Sequence, residues 1–135
     1  MSSPPFVHVQ ANFNKGVLYL NTNLTGDYNF ENILAAACIG NYFEVDPIAI
    51  QKALKNYYPQ NNRSQLIIRN GLKIIMDAYN ANPTSMQASI KSFMSNGSNK
   101  SYLILGDMLE LGEYSKYEHT SILEFLKNYP DIKVY

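Results

Sequence analysis

After residue 64 the chain alternates short apolar, β-favouring runs with stretches of helical periodicity, and that alternation points to an α/β fold. Gln65-Leu66-Ile67-Ile68 and Leu72-Lys73-Ile74-Ile75-Met76 flank Asn70-Gly71, a dipeptide suited to the two positive-φ positions of a tight hairpin turn. Ser85 to Met94 then reads as a helix, Tyr102-Leu103-Ile104-Leu105 as a buried strand, Lys116 to Asn128 as a helix, and Ile132 to Tyr135 as the start of another strand. Strands separated by helices favour parallel pairing, so a mostly parallel sheet is expected. The sequence stops on a strand, which predicts a truncated doubly wound domain.

The first half has a different pattern. Residues 1–16 show little periodicity, and Val17-Leu18-Tyr19-Leu20 reads as the end of a strand. Thr25-Gly26-Asp27 breaks the chain and places Asp27 to cap a helical stretch from Tyr28 to Phe43, with Ile33, Ala36, Ala37 and Gly40 on one face. Asp46-Pro47 announces a second helix, with Ile50, Ala53, Leu54 and Tyr57 at helical spacing and Pro59 as its stop. The polar Pro59-Gln60-Asn61-Asn62 reads as a linker. Two modules are expected: the helical end of one domain over 1–60, then an α/β domain over 61–135.

Composition narrows the function classes. Lys plus Arg equals Asp plus Glu at 11 each, which removes the usual electrostatic case for a nucleic acid or an anionic membrane as partner. No apolar run is long enough to span a bilayer, and Met1-Ser2-Ser3-Pro4-Pro5 lacks the charged and apolar regions of a signal peptide. A cytoplasmic protein without membrane insertion is expected. The single cysteine, Cys38, lies in the apolar run Ile33 to Ile39 and reads as a small buried residue.

Four segments carry residue types suited to chemistry. Asn29 and Asn32 are three apart at a helix start, so both fall on one side of its first turn. A carboxamide offers a donor and an acceptor, matching the edge of adenine, with helix capping as the other reading. Arg63 stands in the polar linker, either solvated or placed to fork onto a phosphate. Asp77-Ala78-Tyr79-Asn80-Ala81-Asn82-Pro83-Thr84-Ser85-Met86 follows a strand and precedes a helix, where α/β proteins bind ligands; turn and cap roles are equally open there. Gly106-Asp107-Met108-Leu109-Glu110-Leu111-Gly112-Glu113 gathers three carboxylates in one loop, ahead of His119. Neither Gly-x-x-x-x-Gly-Lys-Ser/Thr nor Gly-x-Gly-x-x-Gly occurs, so no motif here cradles a triphosphate alone.

Taken in this order, Gly26-Asp27-Tyr28-Asn29-Phe30-Glu31-Asn32, Asp77 to Met86 and Leu105 to His119 resemble the Mur ligase family of ATP-dependent amide ligases. The resemblance covers roughly residues 17–135. Its Tyr-Asn-Ala-Asn-Pro and Gly-Asp-Met-x-Glu-Leu-Gly strings point to members that add D-alanyl-D-alanine to UDP-N-acetylmuramoyl-tripeptide. It implies that residues 1–60 are the C-terminal part of a central ATP-binding domain and 61–135 most of a Rossmann-like C-terminal domain. ATP and Mg2+ are implied as cofactors, with the metal ligands in a missing part of the central domain and none among these residues. The implied partners are the UDP-linked tripeptide and the dipeptide.

By the same resemblance Asn32 reads adenine with Asn29 in support, Arg63 reaches the ATP phosphates and Asp77 holds ribose. Tyr79, Asn80, Asn82 and Ser85 form a substrate or nucleotide loop, while Asp107, Glu110, Glu113 and His119 face the incoming dipeptide. Tyr28 departs from the family, whose members often carry histidine there. These residues alone are expected to be inactive. An independent nucleotide-binding or regulatory module without catalysis is the alternative, and a metal-dependent hydrolase centred on Asp107 is a third reading.

Overall fold

A computed structural model describes residues 6–13, 16–95 and 101–135. They divide into two compact units, one running to Met76 and the other beginning at Asp77.

The first unit opens with an antiparallel pair, β1 (Phe6–Phe13) and β2 (Gly16–Thr25), in which Val9 faces Leu20 and Ala11 faces Leu18. Residues alternate along the middle of the pair, with a register irregularity between Phe6 and His8. Val9, Ala11, Leu18, Leu20 and Thr22 turn inward, while Gln10, Asn12, Tyr19 and Asn21 turn out. The sequence reading leaves residues 1–16 without an element, yet Val7, Val9, Ala11 and Phe13 hold the period of a half-buried strand. The expected helical tail is therefore two helices laid on a sheet. Those helices are α1 (Phe30–Tyr42) and α2 (Pro47–Asn56).

Ile33 and Ala37 of α1 and Ile50 of α2 close one core with Val9, Leu18 and Leu20. Gly40 lets the helices approach closely: a Cβ there would come within 3.1 Å of the Ile50 side chain. Ala36, expected on the buried face, is exposed, and so is Cys38. The reason is that α1 is apolar almost all round, so its sequence does not mark which stripe faces the sheet. At α2 the expected cap is present, with the Asp46 carboxylate accepting from the backbone N–H of Ile48 at 2.9 Å and Ala49 at 3.2 Å. The unit ends in a hairpin of β3 (Gln65–Arg69) and β4 (Leu72–Met76), turned by Asn70 and Gly71 at φ 51° and 77°. By contacts this hairpin groups with the residues before it, although sequence places it in the following domain.

The second unit holds α3 (Pro83–Ser95), β5 (Tyr102–Leu103), α4 (Ser115–Leu126) and β6 (Lys133–Val134). β5 and β6 pair in parallel, and hydrogen bonds from Tyr135 to Leu103 and from Leu105 to Tyr135, each 2.9 Å, extend the pairing. Ile90, Leu103, Met108, Ile122 and Leu126 form its core. The expected mostly parallel sheet is met here alone. Among the described residues the other two pairs are antiparallel, because their connections are far shorter than the dozen residues a crossover needs.

Candidate functional site

Gly26 turns the chain out of β2 at φ 87°, a conformation open to glycine. A Cβ at that position would also collide with the Tyr28 ring. A single 3-10 turn over Asp27–Asn29 then leads into α1. Asp27, expected as a cap, makes no capping hydrogen bond, and neither does Asn29. Instead the buried Asn29 amide donates back to the Thr25 carbonyl at 2.8 Å and to the Ser64 hydroxyl at 3.3 Å. Its Oδ1 accepts from the Asn32 amide at 3.1 Å. The two asparagines therefore do meet on one side of the first turn, and capping is not what occupies them. Asn32 is exposed, and its carboxamide oxygen accepts no hydrogen bond among the described residues.

Arg63 is exposed, beside a buried Ser64 whose hydroxyl lies 2.8 Å from that of Tyr28. Asn61, Asn62 and Ser64 all have positive φ, so the linker is tightly coiled. Asparagine tolerates that conformation better than most residues. Neither Ser64 nor the Tyr28 hydroxyl stands out in the sequence; the clustering of asparagines ahead of Arg63 was the available signal.

Beyond β4, exposed Asp77 accepts from the Ser89 hydroxyl of α3 at 3.0 Å. Asn82 and Ser85 close a reciprocal cap on α3. The Asn82 Oδ1 accepts from the Ser85 N–H at 2.9 Å, and the Ser85 Oγ accepts from the Asn82 N–H at 3.3 Å. Asn80 accepts from the Ala81 N–H at 2.9 Å in a local turn. These three residues thus fill the turn and cap roles left open by the sequence, while the Tyr79 ring is exposed.

In the acidic loop Met108 is a core anchor at 2% exposure, while Asp107, Glu110 and Glu113 are exposed. His119 on α4 holds the anchor. Its Nε2 accepts from the Met108 N–H at 3.1 Å, and its Nδ1 lies 2.8 Å from the Ser115 carbonyl. An Asp107 carboxylate oxygen also sits 3.7 Å from Nε2. An ion pair would need a proton on Nε2, where the Met108 N–H already points. The shorter contact, with Nε2 as acceptor, suits the tautomer that carries its N–H on Nδ1, facing the Ser115 carbonyl. Asp107, Met108, Leu109, Ser115, Lys116 and His119 border a groove of about 370 Å³. The three loop carboxylates do not gather as a metal site: no group of three or more His, Cys, Asp or Glu among the described residues is placed to hold an ion.

The second unit is a mixed α/β arrangement with loops after its strands, preceded in the chain by a helix start that presents a carboxamide. The chain belongs to the Mur ligase family: the domain described as "Mur ligase, glutamate ligase domain" matches residues 62–134. It is 43% identical over 98 residues to the UDP-N-acetylmuramoyl-tripeptide–D-alanyl-D-alanine ligase of Bacillus subtilis, an alignment covering 71% of this chain and 21% of that protein. The ligase of the same name from Buchnera aphidicola is 38% identical over 108 residues, 79% of this chain and 23% of the relative. The chain thus spans about a fifth of the length of these curated relatives.

Among solved structures, a crystal form of MurF from Acinetobacter baumannii superposes with a TM-score of 0.82 at 28% identity, covering 94% of this chain and 28% of that one. The MurF ligase from Thermotoga maritima, solved in complex with ADP, shares the fold with a TM-score of 0.78 at 23% identity, over 99% of this chain and 31% of that one.

Proposed function

We propose that these residues serve an ATP-dependent amide ligase of peptidoglycan synthesis that joins D-alanyl-D-alanine to UDP-N-acetylmuramoyl-tripeptide. The observation that carries the reading is the Asn29–Asn32 contact, which spends one amide on the fold and leaves the other presented with its oxygen open. Asn32 then reads the adenine edge, Arg63 meets phosphate oxygens and Asp77 accepts from ribose hydroxyls. In such an enzyme ATP supplies the phosphoryl group that activates the tripeptide's terminal carboxylate toward the dipeptide's amine. The groove beside Asp107 and His119 faces that dipeptide, with exposed carboxylates suited to an ammonium group. Residues 1–60 belong with a central ATP-binding domain and 61–135 with the C-terminal domain.

Magnesium, which such a reaction uses to neutralise phosphate charge, finds no ligand set among the described residues. The chain also contains no P-loop. By itself it therefore binds nucleotide weakly and does not catalyse ligation. Among the described residues no helix is long and apolar enough to cross a membrane.

Calorimetric titration with ATP and magnesium tests this reading. Dissociation constants on the order of a millimolar are expected from adenine and a single arginine. Submicromolar binding would contradict it, because no phosphate cradle is present to supply the difference.

A further inference from the structure

We propose that Ser64 is a positioning residue of the nucleotide site, its hydroxyl fastening the segment that carries Arg63 to the helix start that carries Asn32. This inference rests on the nucleotide reading above and adds a residue to it. Ser64 is buried at 5% exposure, although it lies in a polar linker beside exposed Asn61, Asn62 and Arg63. It holds φ at 49°, a conformation that serine adopts only where its surroundings enforce it. Two side chains from the turn before α1 meet its hydroxyl: Tyr28 Oη at 2.8 Å and Asn29 Nδ2 at 3.3 Å.

The consequence is a continuous chain of contacts. Asn32 donates to Asn29 at 3.1 Å, Asn29 donates to Ser64, and Ser64 is bonded through the backbone to Arg63. Groups that would grip opposite ends of a nucleotide, the base and the phosphates, are thereby set in register through one buried oxygen. Tyr28 supplies the second tether, giving its ring a role where many family members carry histidine. Ser64 touches no nucleotide in this account; it acts through its neighbours.

The test uses ADP as probe and the whole 135-residue chain, followed by two-dimensional amide NMR and thermal melting. Ser64→Gly removes the hydroxyl while relieving the positive φ, so it separates the tether from backbone strain; Tyr28→Phe removes one tether only. The inference expects Ser64→Gly to weaken ADP about fivefold to tenfold, the scale of one or two lost hydrogen bonds, with the melting midpoint unchanged or raised. Tyr28→Phe is expected to weaken ADP by roughly half that factor. The Asn29 side-chain amide signals should move in both. If Ser64→Gly binds ADP as the parent does, the inference is overturned and the nucleotide reading stands. Absence of any ADP response at Asn32 and Arg63 in the parent chain overturns both.

Discussion

The Asn32 amide donates to Oδ1 of Asn29 at 3.1 Å, while Asn29 lies buried with its own amide turned back to the Thr25 carbonyl. One asparagine is built into the fold and its neighbour is held out to solvent. Replacement should separate the two roles. Asn29→Ala strands the Thr25 carbonyl and is expected to cost about 1–3 kcal/mol in urea unfolding. Asn32→Ala should stay within about 0.5 kcal/mol and lose nucleotide affinity instead.

Gly26 is required twice, by its φ of 87° and by the Tyr28 ring that occupies the place of a side chain. Gly26→Ala is expected to destabilise the first unit by about 2 kcal/mol or more, read as a lowered unfolding midpoint. An equal midpoint would show that the turn relaxes freely.

The loop after β4 divides in the same way as the asparagine pair. Asn82→Ala removes the cap of α3 and should cost about 1 kcal/mol. Tyr79→Ala, which takes away a ring 61% exposed, should leave stability within about 0.5 kcal/mol. Denaturant melts of the two variants check the contrast.

Much of this division was hidden in the sequence, for identifiable reasons. The Asn70-Gly71 turn, the Asp46 cap and the α3–β5–α4–β6 order were readable because each depends on local chemistry or on period. The antiparallel β1–β2 pair depends on both strands, and its first strand was legible: Val7, Val9, Ala11 and Phe13 alternate with His8, Gln10 and Asn12 at the period of a half-buried strand, a signal the reading of residues 1–16 missed. Cys38 was expected inside because α1 is apolar almost all round, and only packing against the sheet selects Ile33 and Ala37. Spacing put Asn29 and Asn32 on one side of the first turn and left capping open, while the resemblance made them nucleotide candidates; their division of labour involves Ser64, which is 35 residues away from Asn29. Contacts at that separation leave no periodic trace. Asn80, Asn82 and Ser85 were candidates for ligand contact, and their side chains prove to be engaged in turn and cap hydrogen bonds.

His119 carries a further expectation. Its ring accepts from the Met108 N–H and faces the Ser115 carbonyl, so it ties the acidic loop to α4. His119→Ala leaves that N–H without its acceptor and should cost about 1–3 kcal/mol. Faster hydrogen exchange at the Met108 amide is the specific sign. Long-range proton–nitrogen correlation on the parent chain should show the proton on Nδ1; a proton on Nε2 would instead favour the Asp107 contact.

The most direct test follows ADP into the chain by residue-resolved NMR. Shifts at the Asn32 side-chain amide and the Arg63 guanidinium should saturate together, with one dissociation constant. Saturable shifts confined to other surfaces, such as the groove bordered by Pro83 and Glu118, would show that adenosine and phosphate are gripped elsewhere and would contradict the assignment.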